Sequence, residues 1–417
     1  MSNDSLDFDV VVVGGGPAGS HLALRLARAG TRVALVEARR FPRAKPCGEF
    51  LSPACVPLLD ELGLFDGLRE AGAARVQGMR LLGFGRAAEG RFVPGGGREV
   101  PGGSGWAIRR EVLDEQALRA ALARPEVTGF EGRGVAGLVT YRDGRVEGVR
   151  LAGRDGEVLR AAWVVGADGL RSKVATELGA ARPLPWLEKF AIVARFDGVA
   201  PAPTAEVHFF PEGYFAATPI DAGGFTVNLV IDRKDLRRGL PAEAQLLSWV
   251  DRAPPSPHAW RPPAGRAGPV DRALARRTRR QVFDGAVLVG DAAGYVDPVT
   301  GEGLFLAMKG AELLAGSLAA AAADRRSDAE ALRGYARARR RELAPRCRLA
   351  EWMQRGMRRP WLVKGFLAVL ARRPRLADLL VSVTGDYLRV GDLLSPAVLA
   401  EALLGPRNPA PSGPAPV

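Results

Sequence analysis

The chain has 417 residues, 47% hydrophobic and 25% charged, enough to bury a sizeable core in two or three substructures. Its three cysteines, Cys47, Cys55 and Cys347, match neither metal-ligand nor disulfide-framework spacing, which argues against a disulfide scaffold and fits a reducing cytoplasm. Nearly all the basic residues behind the net charge of +13 are arginine, without the aromatic-interleaved basic patch of a nucleic-acid binder.

Met1 to Phe8 is short and polar, so no leader segment is expected. The longest apolar stretches, Leu313 to Ala323 and Phe366 to Ala371, fall short of a membrane span. The apolar run Val10-Val11-Val12-Val13 enters Gly14-Gly15-Gly16-Pro17-Ala18-Gly19, a Gly-x-Gly-x-x-Gly turn, and a helix is predicted over Ser20 to Ala29. A second strand, Arg32 to Val36, ends on Glu37. This order suits a dinucleotide. Gly14 makes the tight turn, Gly16 lets backbone approach a pyrophosphate, and Gly19 lets the helix pack close with its N–H groups facing phosphate. Glu37, about 20 residues on, is placed to accept both ribose hydroxyls.

Arg39 to Glu49 reads as a loop, followed by a helix over Pro53 to Leu62. Short strands are predicted at Gln77 to Gly83 and Arg91 to Val100, around a glycine-rich loop at Pro94 to Gly97. Arg110 to Leu122 forms a helix with Leu113, Ala117, Leu118 and Leu122 on one face. Strands follow at Gly134 to Tyr141, Arg145 to Leu151 and Val158 to Val165, turning at Asp143-Gly144 and Asp155-Gly156. The last runs into Gly166-Ala167-Asp168-Gly169.

The runs Phe190 to Phe196, Ala205 to Phe210, Gly213 to Ile220 and Phe225 to Ile231 predict an antiparallel sheet. A Pro/Arg-rich stretch, Ala253 to Gly268, returns the chain to a strand at Ala286 to Val289, then to Gly290-Asp291 and a helix from about Gly303 to Ala323. Arg325 to Arg348 is basic and helical, and Trp352 to Leu404 alternates apolar and basic clusters. The expected α/β organisation is a discontinuous dinucleotide-binding domain over 1–75, 106–185 and 281–330, with a β-sheet substrate domain over 76–105 and 186–280. A helical C-terminal region over 331–404 and a disordered tail over 405–417 complete it. With no second Gly-x-Gly-x-x-Gly, one dinucleotide has a dedicated domain.

Three ordered motifs make the chain resemble the FAD-dependent oxidoreductases and monooxygenases that share the p-hydroxybenzoate hydroxylase fold. They are the opening fingerprint, Gly166-Ala167-Asp168-Gly169-Leu170-Arg171-Ser172-Lys173-Val174, and Gly290-Asp291-Ala292-Ala293-Gly294 with Asp297-Pro298-Val299-Thr300-Gly301-Glu302-Gly303. The resemblance implies a Rossmann-like FAD-binding domain (GR2-type) with an inserted antiparallel β-sheet substrate domain and a helical C-terminal region. By position it implies that Gly14, Gly16, Ala18, Gly19 and Glu37 hold the ADP half of FAD. It likewise puts Arg110 near the flavin phosphates, Val135 against adenine through its backbone, and Asp291 on the ribityl chain. Asp168 then supports FAD and the approach of NAD(P)H, while Pro298, Gly301, Gly303 and Leu304 lie along the isoalloxazine with Gly48 close by.

The chemistry of these residue types agrees. A carboxylate at a strand end can bind a polyol, and glycine-rich backbone can lie against a flat ring. A helix starting near Gly303 can stabilise negative charge on a reduced ring. The alternatives are a helix cap at Asp291 and an ordinary turn over Pro298 to Gly303.

Cys47-Gly48-Glu49-x-Leu51-Ser52-Pro53 and Gly294-x-x-Asp297-Pro298-x-x-Gly301-Glu302-Gly303 are similar to the geranylgeranyl reductase-like branch. That branch's Tyr-x-Trp-x-Phe-Pro motif stands here as Tyr214-Phe215-Ala216-Ala217-Thr218-Pro219, and its arginine after Ser-x-Val is Ala175. Ala216 and Thr218 leave room for a larger or differently shaped ligand.

Candidates for contact with flavin or substrate are Cys47, His208 and Tyr214. Cys47 reads as a thiol that tunes substrate position or as a small buried spacer. His208 reads as a ligand contact or a cross-strand hydrogen-bonding residue, and Tyr214, with Phe209, Phe210 and Phe215, as pocket wall or core. His21 reads as structural and His258 as solvated, and no Ser/His/Asp arrangement or metal site competes.

The expected activity is monooxygenation with NAD(P)H as transient reductant, hydroxylating or epoxidising a lipophilic prenylated or polyketide-derived aromatic in secondary metabolism. Reduction of isoprenoid C=C bonds, flavin-dependent halogenation and flavin binding without turnover stay open. Met357 to Leu367 mixes basic and apolar groups as an interfacial helix does, or as a packed helix with snorkelling arginines does. The positive charge reads as compositional bias or as attraction to acidic lipid or an acyl-carrier protein. A cytoplasmic protein is expected, peripheral at the inner membrane face in the second reading, with no nucleic-acid partner.

Overall fold

Val10 to Val13 are continuously apolar rather than alternating, and they form the buried centre of an eight-stranded sheet covered on both faces. In the computed structural model, which describes residues 7–93, 103–153, 156–197, 203–220, 224–237, 239–253, 268–270, 275–396 and 400, Phe8–Val13 lies between two parallel neighbours. These are Val33–Glu37 and Val158–Gly166. Val127–Glu131 and Ala286–Leu288 extend the parallel pairing on either side. Parallel strands end on a common edge, so Gly14, Glu37, Gly166 and Gly290 come together there from remote parts of the chain.

Helices Pro17–Arg28, Arg110–Leu122 and Gly303–Ala323 cover one face of this sheet through Leu22, Leu26, Leu113, Leu118, Met308 and Leu314. The hairpin Val135–Thr140 and Val146–Leu151 covers the other, over Val11, Val36 and Leu159. The opening helix begins at Pro17, three residues before the predicted start, because proline suits a first helical position. One expectation is overturned here. Gly303–Ala323, 21 residues long, is long and apolar enough to cross a bilayer. The apolar pattern is interrupted by Lys309 and Glu312, which pair with each other, and the helix is core, with Met308, Ala311, Leu314 and Leu318 fully buried.

A second sheet of seven strands runs in the order Gly268–Val270, Lys189–Asp197, Gly224–Asp232, Gly213–Ile220, Thr204–Phe210, Gly78–Gly83, Arg86–Arg91. It is not wholly antiparallel as predicted: Thr204–Phe210 runs parallel to Gly78–Gly83. Hairpins force antiparallel pairing, but these two strands are separated by about 120 residues that include four strands of the first sheet, so no hairpin constrains them. The last strand is Arg86–Arg91 rather than Arg91 to Val100, because Phe84 and Gly85 (φ 52° and 70°) close a two-residue hairpin straight after Gly83. The predicted loop Pro94 to Gly97, Asp155, most of Ala253 to Gly268 and the tail over 405–417 lie outside the described residues.

The faces of this sheet alternate with the pleat. Tyr214, Thr226, Asn228 and Arg195 point toward the first sheet's glycine-rich edge. Ile192, Phe196, Phe215, Val227 and Leu229 point away, under Leu246 and Trp249 of helix Ala242–Val250.

Among the described residues, the C-terminal part has four α-helices, Arg333–Glu342, Ala344–Met357, Pro360–Arg372 and Pro374–Thr384. Val363, Leu367, Leu370 and Ala377 pack on Leu81, Val207 and Val230 and cover the edge of the second sheet. Gly90 permits the close approach: a Cβ there would lie 2.3 Å from the carbonyl oxygen of Ala377.

Candidate active site

The glycine-rich turn is built by sterics. Gly14 has φ +107°, and a Cβ there would lie 2.5 Å from the Ala167 carbonyl oxygen. A Cβ on Gly19 would sit 1.8 Å from the Gly14 carbonyl oxygen, so strand and helix meet only if residue 19 has no side chain. Gly16 differs: its missing Cβ would meet only Arg43 Nη2, 3.6 Å away, so this side of the turn is open. Gly16 also caps its helix without a side-chain acceptor, leaving the first-turn N–H groups turned to the same opening. Glu37 closes the turn from the second strand, accepting from the N–H groups of Gly15 and Arg39 at 2.8 Å each. Ala18 abuts Gly290, joining the first motif to the third, and Arg133 N–H donates to the Glu37 carbonyl (3.0 Å), which brings Val135 alongside.

Cations gather in front of the turn. Arg110 is buried and forks onto Asp114 through two hydrogen bonds of 2.7 Å. Burial opposes its charge, but Asp114 and Cys47 outweigh burial and hold the guanidinium protonated. Arg43 Nη2 reaches the same Asp114 at 3.5 Å. Lys45, next to Gly169, has its pKa lowered by burial and then by Arg110, against the pull of Asp291 and Asp114.

Asp168 accepts from the N–H groups of Lys173 (2.7 Å) and Val174 (3.2 Å) through Oδ2, while Oδ1 is buried without a partner. Burial raises its pKa. Asp291 lies in the turn Gly290–Ala293, where its side chain makes no cap and accepts no hydrogen bond among the described residues.

The third motif continues as a single turn, Pro298–Thr300, then Gly301 at φ +70° against the Phe50 ring, then the helix from Gly303 with Leu304 buried. Asp297 holds this turn by accepting from Val299 N–H (2.9 Å) and ties it to the second sheet by accepting from Tyr214 Oη–H (2.6 Å). Burial raises the pKa of Asp297, with Lys189 pulling the other way, and burial with Asp297 raises that of Tyr214 well above its ordinary value.

Cys47 lies against Arg110 and accepts from Glu49 N–H at 3.3 Å. Gly48 faces Asn228 of the second sheet, whose Oδ1 is buried and unpartnered. Glu49, at φ 57°, bonds Arg195 (2.6 Å), Thr226 and the Arg110 N–H (3.2 Å), clamping the loop between both sheets.

Tyr214 is thus tied to the third motif, Cys47 and Gly48 lie in the clamped loop beside Arg110 and Asn228, and His208 is apart from both. His208 is buried on the outward face, stacked on Phe215 at 4.3 Å with Nε2 2.9 Å from Glu206 Oε2 along its own strand. Two positions apart on a strand means one face, and Tyr214 occupies the other. The anticipated cross-strand bond of His208 is therefore an intrastrand one.

Arg43, Lys45, Asp297 and a buried group around Glu302 belong to the site without being candidates from sequence. Arg346 Nη1 lies 2.7 Å from Glu302 and 2.5 Å from Asp386, and Ser52 Oγ–H donates to Asp386 at 2.7 Å. Glu302 and Asp297 stand inside a quoted motif, which was a usable signal. Arg346 sits in a run of arginines and offered none.

These features define a nucleotide-binding α/β protein whose second sheet closes over the glycine-rich edge. Residues 7–208 match the FAD binding domain family. The chain is 32% identical over 320 residues to a digeranylgeranylglycerophospholipid reductase 2 of Methanopyrus kandleri, covering 72% of this chain and 74% of that protein. It is 41% identical over 174 residues to the 6-methylpretetramide 4-monooxygenase of Streptomyces rimosus; that match spans 41% of this chain and 40% of the relative's length. A flavin-dependent brominase superposes with a TM-score of 0.77 at 20% identity, over 94% of this chain and 98% of that one, a likeness of fold. The chain belongs to the FAD-dependent oxidoreductases of the p-hydroxybenzoate hydroxylase fold, and FAD is its cofactor. The geometry fits that cofactor: an open backbone at Gly16, a buried unpaired oxygen on Asp168, and Arg43, Lys45 and Arg110 around one aspartate.

Proposed function

We propose that the chain is an FAD-dependent monooxygenase that uses NAD(P)H and oxygen to hydroxylate or epoxidise a lipophilic, prenylated or polyketide-derived aromatic substrate. The observation that carries this reading is the inward face of the second sheet, where half-buried Ala216 and buried Thr218 follow Tyr214, itself tied to the Pro298–Thr300 turn through Asp297. Small side chains at these two positions suit a broad, flat substrate better than the bulky ones of the Tyr-x-Trp-x-Phe-Pro motif would. The similarity to a monooxygenase named for 6-methylpretetramide supports the same reading.

Bound flavin supplies hydride acceptance from the nicotinamide and reaction with oxygen. The protein's share follows from its residues. Gly16 would admit the pyrophosphate against helix N–H groups, with Gly14, Ala18 and Gly19 keeping strand and helix close behind it, and Glu37 would take the ribose hydroxyls. Arg43, Lys45 and Arg110 would balance phosphate charge, Val135 would border the adenine, and Asp168 and Asp291 would offer free carboxylate oxygens to the sugar and ribityl hydroxyls. Pro298, Gly301, Gly303 and Leu304 would lie along the ring, and the positive end of the helix that starts at Gly303 would stabilise negative charge on it. Tyr214 stays un-ionised and donates to Asp297, so this pair holds the turn in place and excludes water rather than passing a proton.

Reduction of isoprenoid C=C bonds is the second reading. Cys47-Gly48-Glu49 is clamped over the site as a built element, and the reductase relative aligns along most of both chains. The test is turnover of purified yellow protein with NADH or NADPH, with and without oxygen, following lipophilic candidates by mass. An oxygen gained supports monooxygenation and two hydrogens gained support reduction. A halogen gained points to halogenation, and no change in any substrate leaves a flavin-binding protein.

A further inference from the structure

Among the described residues, five of the seven exposed large hydrophobic side chains belong to two C-terminal helices: Trp352, Trp361, Leu362, Phe366 and Val369. Trp361 is 70% exposed and Phe366 46%. Helix Pro360–Arg372 is apolar on two faces. Val363, Leu367 and Leu370 pack on the second sheet, while Leu362, Phe366 and Val369, spaced four and three apart, form an outward stripe that is exposed among the described residues.

Cations surround this stripe. Residues 344–377 contain nine basic side chains and one acidic one, Glu351, which is buried and bonded by Arg277. Arg348, Lys364 and Arg372 are exposed with no carboxylate partner among the described residues. Arg355 and Arg358 stack over Trp186 at 4.7 and 5.5 Å and, with Arg359, line an open groove next to the start of the helix.

We propose that this face docks peripherally on a bilayer rich in anionic phospholipid, with Trp361, Leu362, Phe366 and Val369 entering the interface and the arginines engaging headgroup phosphates. The charge decides against a second copy of this chain, which would press like-charged faces together. An acidic protein partner would need an apolar groove shaped to a projecting helix. A bilayer accepts a protruding stripe within a diffuse ring of cations without any shaped counterpart. The inference stands apart from the reaction chemistry and does not depend on which substrate is used.

The experiment is co-sedimentation of the full-length flavoprotein with vesicles of phosphatidylcholine alone or mixed with phosphatidylglycerol. Partitioning onto the anionic vesicles should be about tenfold stronger and should collapse in high salt, where screening shortens the reach of the cations. The double variant Trp361→Ser/Phe366→Ser should lose about tenfold in partitioning while keeping its flavin absorbance, because neither side chain supports the core. Wild-type tryptophan emission should be quenched by vesicles made with brominated acyl chains, a reading that needs no variant. Protein left in the supernatant with anionic vesicles overturns the proposal. So does equal binding to neutral vesicles, or undiminished binding of the double variant.

Discussion

Gly16 and Gly19 sit in one turn, yet their surroundings make opposite demands. A Cβ on Gly19 meets backbone oxygen at 1.8 Å, whereas one on Gly16 meets the tip of a flexible arginine at 3.6 Å. Gly19→Ala should therefore cost about 3 kcal/mol or more of stability in urea unfolding, with or without cofactor. Gly16→Ala should leave apoprotein stability within about 0.5 kcal/mol and weaken FAD binding about tenfold in a fluorescence titration. If both variants lose stability equally, Gly16 is a packing residue and the open side of the turn is not where phosphate goes. His21 shows a different residue-level effect. It is fully buried in the first helix with both ring nitrogens unpartnered, and burial lowers its pKa to about 4. In the unfolded chain it titrates near 6.5, so between those values only the unfolded state takes up the proton. Stability should fall as pH drops from 6.5 toward 4, by about 3 kcal/mol from this group alone. His21→Leu should flatten that part of the difference between denaturation curves measured at the two ends.

Arg346, Glu302, Asp386 and Ser52 come from four different elements, so their network is what fastens the C-terminal helices to the start of the long core helix. Removing the cation strands two buried acids. Arg346→Met is expected to cost about 3–5 kcal/mol in equilibrium unfolding, far beyond the change from replacing the exposed Arg348. A loss below 1 kcal/mol would mean that the acids are neutral and need no counter-charge. Burial already raises the Asp386 pKa well above its ordinary value, against the pull of Arg346. Tyr214 is a milder link: Tyr214→Phe removes one donor from Asp297 while Val299 N–H remains. The expected cost is about 1–3 kcal/mol, together with loosening of the Pro298–Thr300 turn detectable as faster amide exchange there. At this scale the sequence was only partly legible. The helix Arg110–Leu122 is read to the residue and Gly303–Ala323 closely, because their apolar spacing is local and strong. The strand Arg86–Arg91 was displaced because Phe84-Gly85 does not look like the usual Asn-Gly hairpin turn, although its backbone adopts that shape.

In the whole molecule, a cofactor lying across segments that are remote in sequence binds the folded state and not the unfolded one. FAD at a hundredfold excess over its dissociation constant should therefore stabilise the protein by about 2.7 kcal/mol, seen as a cofactor-dependent rise in Tm. No rise in Tm with well-folded protein would contradict the assembly of the site from three motifs. The local chain alone determined the valine strand, the glycine turn, the helix after it and the acid ending the second strand. Each depends on period, turn sterics and neighbours within a few dozen residues. The tertiary structure alone decided which faces of the second sheet meet the site, placing Tyr214 inward and His208 outward. It also decided that strands 78–83 and 204–210 run parallel, and that Arg346 is buried while its neighbour Arg348 is exposed. A strand has two faces and an arginine has one composition. Only long-range packing, which no local pattern encodes, tells one face or one arginine from another.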